Sequence, residues 1–258
     1  MFKFIGFIAG YYFYGFFGAL AGLFIGSVID RARAYGTGAI NPMQNALRQT
    51  VFIETLFLSM GKLAKADGRV SEDEVAHVEM VMQKLGMTVE HRVQAIALFK
   101  RGTDPAFDVA ATCNRFMAVC GQTRNLTQLL LVYLIIMAAA DGRFDSAEKA
   151  TLGDIAARLG YDSTAFEHLM GMVLSQSHFS AGQPVNSAAA LDDAYKTLGV
   201  TAGNSDAEIK HAYRKLISQY HPDKLIGQGL PEDMVAMATE QAKGIQLAYD
   251  LIKKHRNI

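Results

Sequence analysis

The chain has 258 residues, half of them hydrophobic, and its 25 Lys and Arg match 25 Asp and Glu. That balance excludes an acidic or basic tail and gives no chain-wide cationic field of the kind that phosphate backbones attract. Two cysteines with no C-x-x-C pair leave no zinc module of that type.

The first element is a hydrophobic run. No charged residue occurs between Lys3 and Asp30, and Phe4 to Ile29 is rich in Phe, Ile, Tyr, Leu and Gly. As a helix this run reaches roughly 39 Å against a hydrocarbon core of roughly 30 Å, so it predicts a single transmembrane helix within residues 1–30. A cleaved signal peptide is the alternative, with Ala32-Arg33-Ala34 imitating a cleavage site, but the run is about twice a normal signal core. Arg31, Arg33 and Arg48 outnumber Lys3, which favours a cytoplasmic C-terminal side and a periplasmic N-terminus. Gly6, Gly10, Gly18, Gly22 and Gly26 share one i, i+4 register. Such a ridge lets two helices approach closely, so Gly18, Gly22 and Gly26 are candidates for homodimerisation; the competing account is that Gly is common in membrane helices.

Residues 31–174 read as one helical domain with an internal repeat. Ala66-Asp67-Gly68-Arg69 reappears as Ala140-Asp141-Gly142-Arg143, and Leu85-Gly86 as Leu159-Gly160, both displaced by 74 positions. Helices are expected at about 42–65, opened by Asn41-Pro42, then 72–85, 89–101, 105–120, 123–140, 146–159 and 163–175. The apolar stretch Leu129 to Ala140 is too short to cross a membrane and reads as a buried core helix. Asp67, Glu74, Asp141 and Glu148 could offer oxygen ligands to a hard cation, but Arg69 and Val78 break the EF-hand pattern. Helix capping at Ser71-x-x-Glu74 and Asp145-x-x-Glu148 explains the acids, so no metal and no cofactor is expected. Cys113 and Cys120 lie two helical turns apart, too far for an unstrained bridge within one helix, and read as reduced core residues. His77, His91, His168 and His178 form no ligand spacing.

A polar linker is expected at 175–190, before a domain at 191–258. There, Asp193 to Val200 predicts a short helix closed by Gly199. Ser205-Asp206-Ala207-Glu208 has capping-box spacing, so a helix should begin near Asp206. Ile209, Ala212, Tyr213, Leu216, Ile217 and Tyr220 fall on one face, and Lys210, His211, Arg214, Lys215 and Ser218 on the other. Pro222 should stop this helix at His221 and hand over to an exposed loop. After a Gly-rich loop from Gly227 to Pro231, an amphipathic run from about Glu232 carries Met234, Met237, Ala238, Ile245, Ala248, Tyr249 and Ile252 and can return antiparallel. The segment holds nine basic and nine acidic residues and no row of stacking aromatics, which argues against nucleic acid.

Tyr220-His221-Pro222-Asp223-Lys224, set between two such helices, resembles the signature of J-domains. The repeated Asp-Gly turns of the middle region resemble the TerB-like, all-helical domain. In that order, span, TerB-like domain and J-domain resemble the DjlA-type membrane-anchored bacterial co-chaperones. The resemblance implies an all-α protein of the bacterial inner membrane that stimulates ATP hydrolysis by a DnaK-type Hsp70 and directs it to clients there. Asp223 would pair with a cation of the Hsp70, while His221 and Pro222 keep the turn rigid. Lys210, Arg214, Lys215 and Lys224 would face an acidic Hsp70 surface, with Tyr213 at a contact position. The alternative is a membrane scaffold or envelope-stress signalling protein acting mainly through its TerB-like domain. No nucleophile and base pair, phosphate loop or metal cluster appears, so the chain is not expected to be an enzyme.

Overall fold

A computed structural model describes residues 42–66, 78–79, 82, 87–139, 146–180 and 188–257. Among the described residues the fold is all helical. The expected membrane span, its glycine register and the Asp67, Glu74 and Asp141 acids lie outside them. Among the described residues no helix is long and apolar enough to cross a membrane.

The middle domain comprises α1 (Pro42–Ala64), α2 (Val89–Gly102), α3 (Val109–Cys120), α4 (Arg124–Ala138), α5 (Ser146–Arg158) and α6 (Ser163–Ser180). Leu126 and Leu129 through Ile135 of α4 are all buried, so this helix is the central rod expected of the apolar stretch at its end. Phe52 of α1 meets the Tyr133 ring edge-on at a centroid distance of 6.1 Å and the Phe116 ring of α3 at 6.3 Å. These contacts bind α1 and α3 to the central helix. Helices α1 and α2 cross at Gly61 and Gly102, where a Cβ on either residue would lie 2.1 Å from a backbone oxygen of the other helix. Only hydrogen fits there.

Two expectations are corrected by hydrogen bonding. The helix expected from 105 begins at Val109, because the Asp104 carboxylate accepts from the Ala106 amide at 2.9 Å and folds Asp104 to Phe107 into a turn. Asp108 then takes the cap, accepting from the Ala110 amide at 2.8 Å. The helix expected to end at 175 continues to Ser180 through residues read as linker. Buried Gln176 explains the extension: its side-chain amide donates to the Gln241 carbonyl at 2.6 Å, fixing α6 against the C-terminal domain.

That domain comprises α7 (Ala188–Thr197), α8 (Asp206–Gln219), α9 (Pro222–Gln228), a 3-10 turn at Glu232–Met234 and α10 (Val235–Arg256). Helix α7 begins at Ala188, inside the stretch expected as linker and ahead of the expected Asp193, and Gly199 adopts a φ of 66° just past its end, as its position after a short helix predicts. Helices α8 and α10 pair antiparallel. Near one end Arg256 donates to Asp206 at 2.8 Å, to the Asn204 carbonyl at 2.9 Å and to the Tyr195 hydroxyl at 2.8 Å. Further along, the Tyr213 and Tyr249 rings stack 4.1 Å apart, within 8° of parallel.

The two domains share one continuous core. Tyr133 of α4 donates its hydroxyl to the Met234 carbonyl at 2.7 Å, so the central rod of the middle domain bonds to the turn that opens α10. Helix α6 packs along both α7 and α10.

Candidate functional site

The site is built from the end of α8 and the start of α9. At the far end of α8 the capping box is complete: Ser205 accepts from the Glu208 amide, and Glu208 accepts from the Ser205 amide at 2.8 Å. The Ser205 amide and hydroxyl and the Asn204 side chain hold the Glu208 carboxyl below its ordinary range. The helix thus starts firmly and presents its faces in fixed register. Ile209, Leu216 and Tyr220 are buried, Ala212, Tyr213 and Ile217 half-buried, while Lys210, His211, Arg214, Lys215 and Ser218 are exposed.

Pro222 stops α8 and begins α9. Tyr220 closes the first helix, His221 is the N-cap of the second, and Pro222 occupies its first turn. The exposed loop expected after Pro222 is therefore corrected to a short helix. Proline has no amide to leave unpaired and a φ already suited to the first helical turn, and Asp223 places a negative charge at the amino end of the helix. The His221 carbonyl accepts from the Lys224 and Leu225 amides, each at 3.1 Å. Leu225, 1% exposed, anchors α9 in the core. His221 and Asp223 are exposed, and Pro222 and Lys224 half-buried. Lys224 reaches back to the Ser218 hydroxyl at 3.3 Å, tying α9 to α8.

The candidate cations divide between two surfaces. Lys210 and Arg214 stand on the open face of α8. Lys215, though exposed, lines a groove of about 580 Å³ between α8 and the middle domain, with Gln128, Arg124, Asp162 and His168 among its walls. Tyr213 is held by its stack on Tyr249 and donates its hydroxyl to the side-chain amide oxygen of Gln246. Burial and then the Asp250 carboxylate raise its phenol above the ordinary value.

Residues that sequence reasoning passed over fix this corner from the other side. Tyr220, immediately before His221, is 6% exposed and hydrogen-bonded to the Gln128 side chain of α4; burial pushes its phenol well above the ordinary value. Asn45 of α1 donates to the Gly227 carbonyl at 3.3 Å, and Asn125 of α4 donates to the Gln228 side chain at 3.2 Å. Gly229, at a φ of 104°, closes α9 against the side chain of Arg48. Gln128 carries no signal of this role in the sequence, since it follows Arg124, Asn125 and Thr127 in the polar opening turn of α4. Among the described residues no cluster of His, Cys, Asp and Glu is arranged to hold a metal ion. Cys113 and Cys120 are buried and unpaired with one another, and burial raises both thiols to about 11.

Comparison with known proteins matches three family models in chain order. Residues 1–38 match the co-chaperone DjlA transmembrane domain, 54–170 tellurite resistance protein TerB, and 193–257 the DnaJ domain. Co-chaperone protein DjlA of Coxiella burnetii is 38% identical, over 99% of this chain and 98% of its own length. The chain belongs to the DjlA co-chaperone family. The DjlA proteins of Shewanella oneidensis and Pasteurella multocida are 37% and 34% identical, with 99% and 98% of this chain covered and 98% and 96% of theirs. No solved structure matches. A DjlA-type chain of this build is a DnaJ-type co-chaperone, with an Hsp70 as its kind of partner and a transmembrane domain at its amino end.

Proposed function

We propose that this co-chaperone stimulates ATP hydrolysis by a DnaK-type Hsp70 through His221, Pro222 and Asp223, and directs that Hsp70 to clients at the inner membrane. The observation that carries the reading is the corner itself: His221 and Asp223 are solvent-exposed at the junction of α8 and α9, beside the open cationic face of Lys210 and Arg214. Exposed charges in this arrangement raise encounter rate and specificity more than they tighten binding, which suits a partner that must leave after each cycle. Lys215 and Lys224 extend the cationic rim, and Tyr213 borders it. The N-terminus lies in the periplasm and the two folded domains in the cytoplasm, where ATP is available. Gly18, Gly22 and Gly26 bring two spans together as a homodimer in the bilayer. The protein has no active site of its own, and it does not bind nucleic acid.

Binding of an ATP-loaded DnaK-type Hsp70 to the full chain in nanodiscs tests this reading. Affinity should fall as salt rises, and Lys210→Glu with Arg214→Glu should weaken binding and flatten the salt dependence. Salt-independent binding, or binding unchanged by both reversals, would overturn it.

A scaffold reading has one feature in its favour, a groove of about 700 Å³ along α1 and α2 with Ile53, Leu98 and Arg101 among its lining residues. Complementation separates the two: full cellular function with His221→Gln would favour the scaffold.

A further inference from the structure

The bonds between the two domains converge on one short stretch of chain. Gln128 holds Tyr220, one residue before the corner. Asn45 and Asn125 hold Gly227 and Gln228 at the end of α9, Arg48 packs on Gly229, and Tyr133 holds Met234 where α10 begins. Every one of these partners belongs to α1 or α4 of the middle domain. The stretch from Tyr220 to Met234 therefore has His221, Asp223 and Glu232 exposed but is bonded to the TerB-like domain at both ends and in between.

A helix as short as α9 does not hold its own shape, because nucleation is costly and seven residues are too few to repay it. Its single buried side chain at Leu225 fixes a position, not a direction. The bonds from Gln128, Asn45 and Asn125 supply the direction. Gln128 shares a groove with Lys215, while Lys210 and Arg214 stand on the open face of α8 and stay available to a partner.

We propose that the TerB-like domain positions the His-Pro-Asp corner, with Gln128, Asn45, Asn125 and Tyr133 as positioning residues that fix α9 in the orientation that activates the Hsp70. This rests on the function proposed above and adds that the middle domain takes part in every activation event. Helix α8 then governs encounter, and the middle domain governs the outcome of the encounter.

The test separates these two roles. The full chain in nanodiscs is titrated into a DnaK-type Hsp70 under single-turnover conditions, and both the plateau of stimulation and the half-saturating concentration are read. Gln128→Ala with Asn125→Ala should lower the plateau roughly 30-fold, the scale of the two hydrogen bonds lost, with the half-saturating concentration held within about twofold. Hydrogen exchange at the Lys224 and Leu225 amides should rise, while that in the first turns of α8 stays unchanged. A variant that is merely less folded gives the reverse, a normal plateau reached at higher concentration. Tyr220→Phe, which removes the same bond from its other partner, should lower the plateau about as far as Gln128→Ala. Should the double variant fail to fold, Asn125→Ala alone removes a half-buried bond at the rim and carries the same comparison. A full plateau despite faster exchange at Lys224 and Leu225 overturns the positioning role and leaves the proposed function standing. No stimulation by the unaltered chain overturns both.

Discussion

Replacing Gly229 by alanine perturbs the corner without touching a residue that meets the Hsp70. Gly229 sits at a φ of 104°, where an L side chain costs about 1–2 kcal/mol. Its Cβ would also lie 2.7 Å from the Arg48 Cβ and 3.2 Å from the Arg48 Cδ. The second of these relaxes by rotating a long side chain, but the first requires α9 or α1 to move, and overpacking of this kind costs at least about 1 kcal/mol. Together they predict a loss of about 2–3 kcal/mol, or roughly 30- to 150-fold in the folding equilibrium. Urea unfolding followed by circular dichroism on the full chain should show it as a lower midpoint, and thermal unfolding as a drop of roughly 4–12 °C. Gly229→Asn separates the contributions, since Asn tolerates positive φ yet carries the same Cβ, and it should recover about 1 kcal/mol. Stability of Gly229→Ala within about 0.5 kcal/mol of the unaltered protein would refute the reasoning, because it would mean that neither the backbone conformation nor the Arg48 contact constrains this turn.

Gly102→Ala places a methyl 2.1 Å from the Leu58 carbonyl and should destabilise the middle domain by about 3 kcal/mol or more, seen in the same urea experiment. Ser205→Ala removes the side-chain acceptor of the capping box and should cost about 1 kcal/mol, with hydrogen exchange rising first in the opening turn of α8. Burial raises the Cys113 and Cys120 thiols from 9.0 to about 11, so both should resist iodoacetamide at pH 8 in the folded protein and react on unfolding. Between pH 9 and 11 the unfolded chain loses these protons while the folded protein keeps them, so stability should fall as pH rises through that window; in Cys113→Ala with Cys120→Ala the fall should shrink.

Most of the helices are legible in the sequence because each carries its own punctuation. Asn41-Pro42 marks the start of α1, the serine and glutamate at 205 and 208 the start of α8, and Gly199 the end of α7. The seven-residue α9 was missed because Pro222 carries two meanings, the end of one helix and the first turn of the next, and only the second is visible once Leu225 is seen to be buried. Helix α3 starts later than expected because Asp104 holds the Ala106 amide in a turn and leaves Asp108 to cap the helix at the Ala110 amide. The open face of Lys210 and Arg214 follows from helical periodicity alone. The turn of Lys215 toward the groove does not, since it depends on where α4 and α6 lie. The union of the two domains was hidden for the same reason. Gln128, Asn45, Asn125 and Gln176 are ordinary amides in sequence, and only their partners 65 to 182 positions away give them a role.

The central claim is that the exposed corner at His221, Pro222 and Asp223 acts on an Hsp70. The rate of single-turnover ATP hydrolysis by a DnaK-type Hsp70, measured with the full chain and with Asp223→Asn, tests it most directly. Acceleration by the unaltered chain and none by Asp223→Asn is the predicted result; equal rates with both would contradict the account.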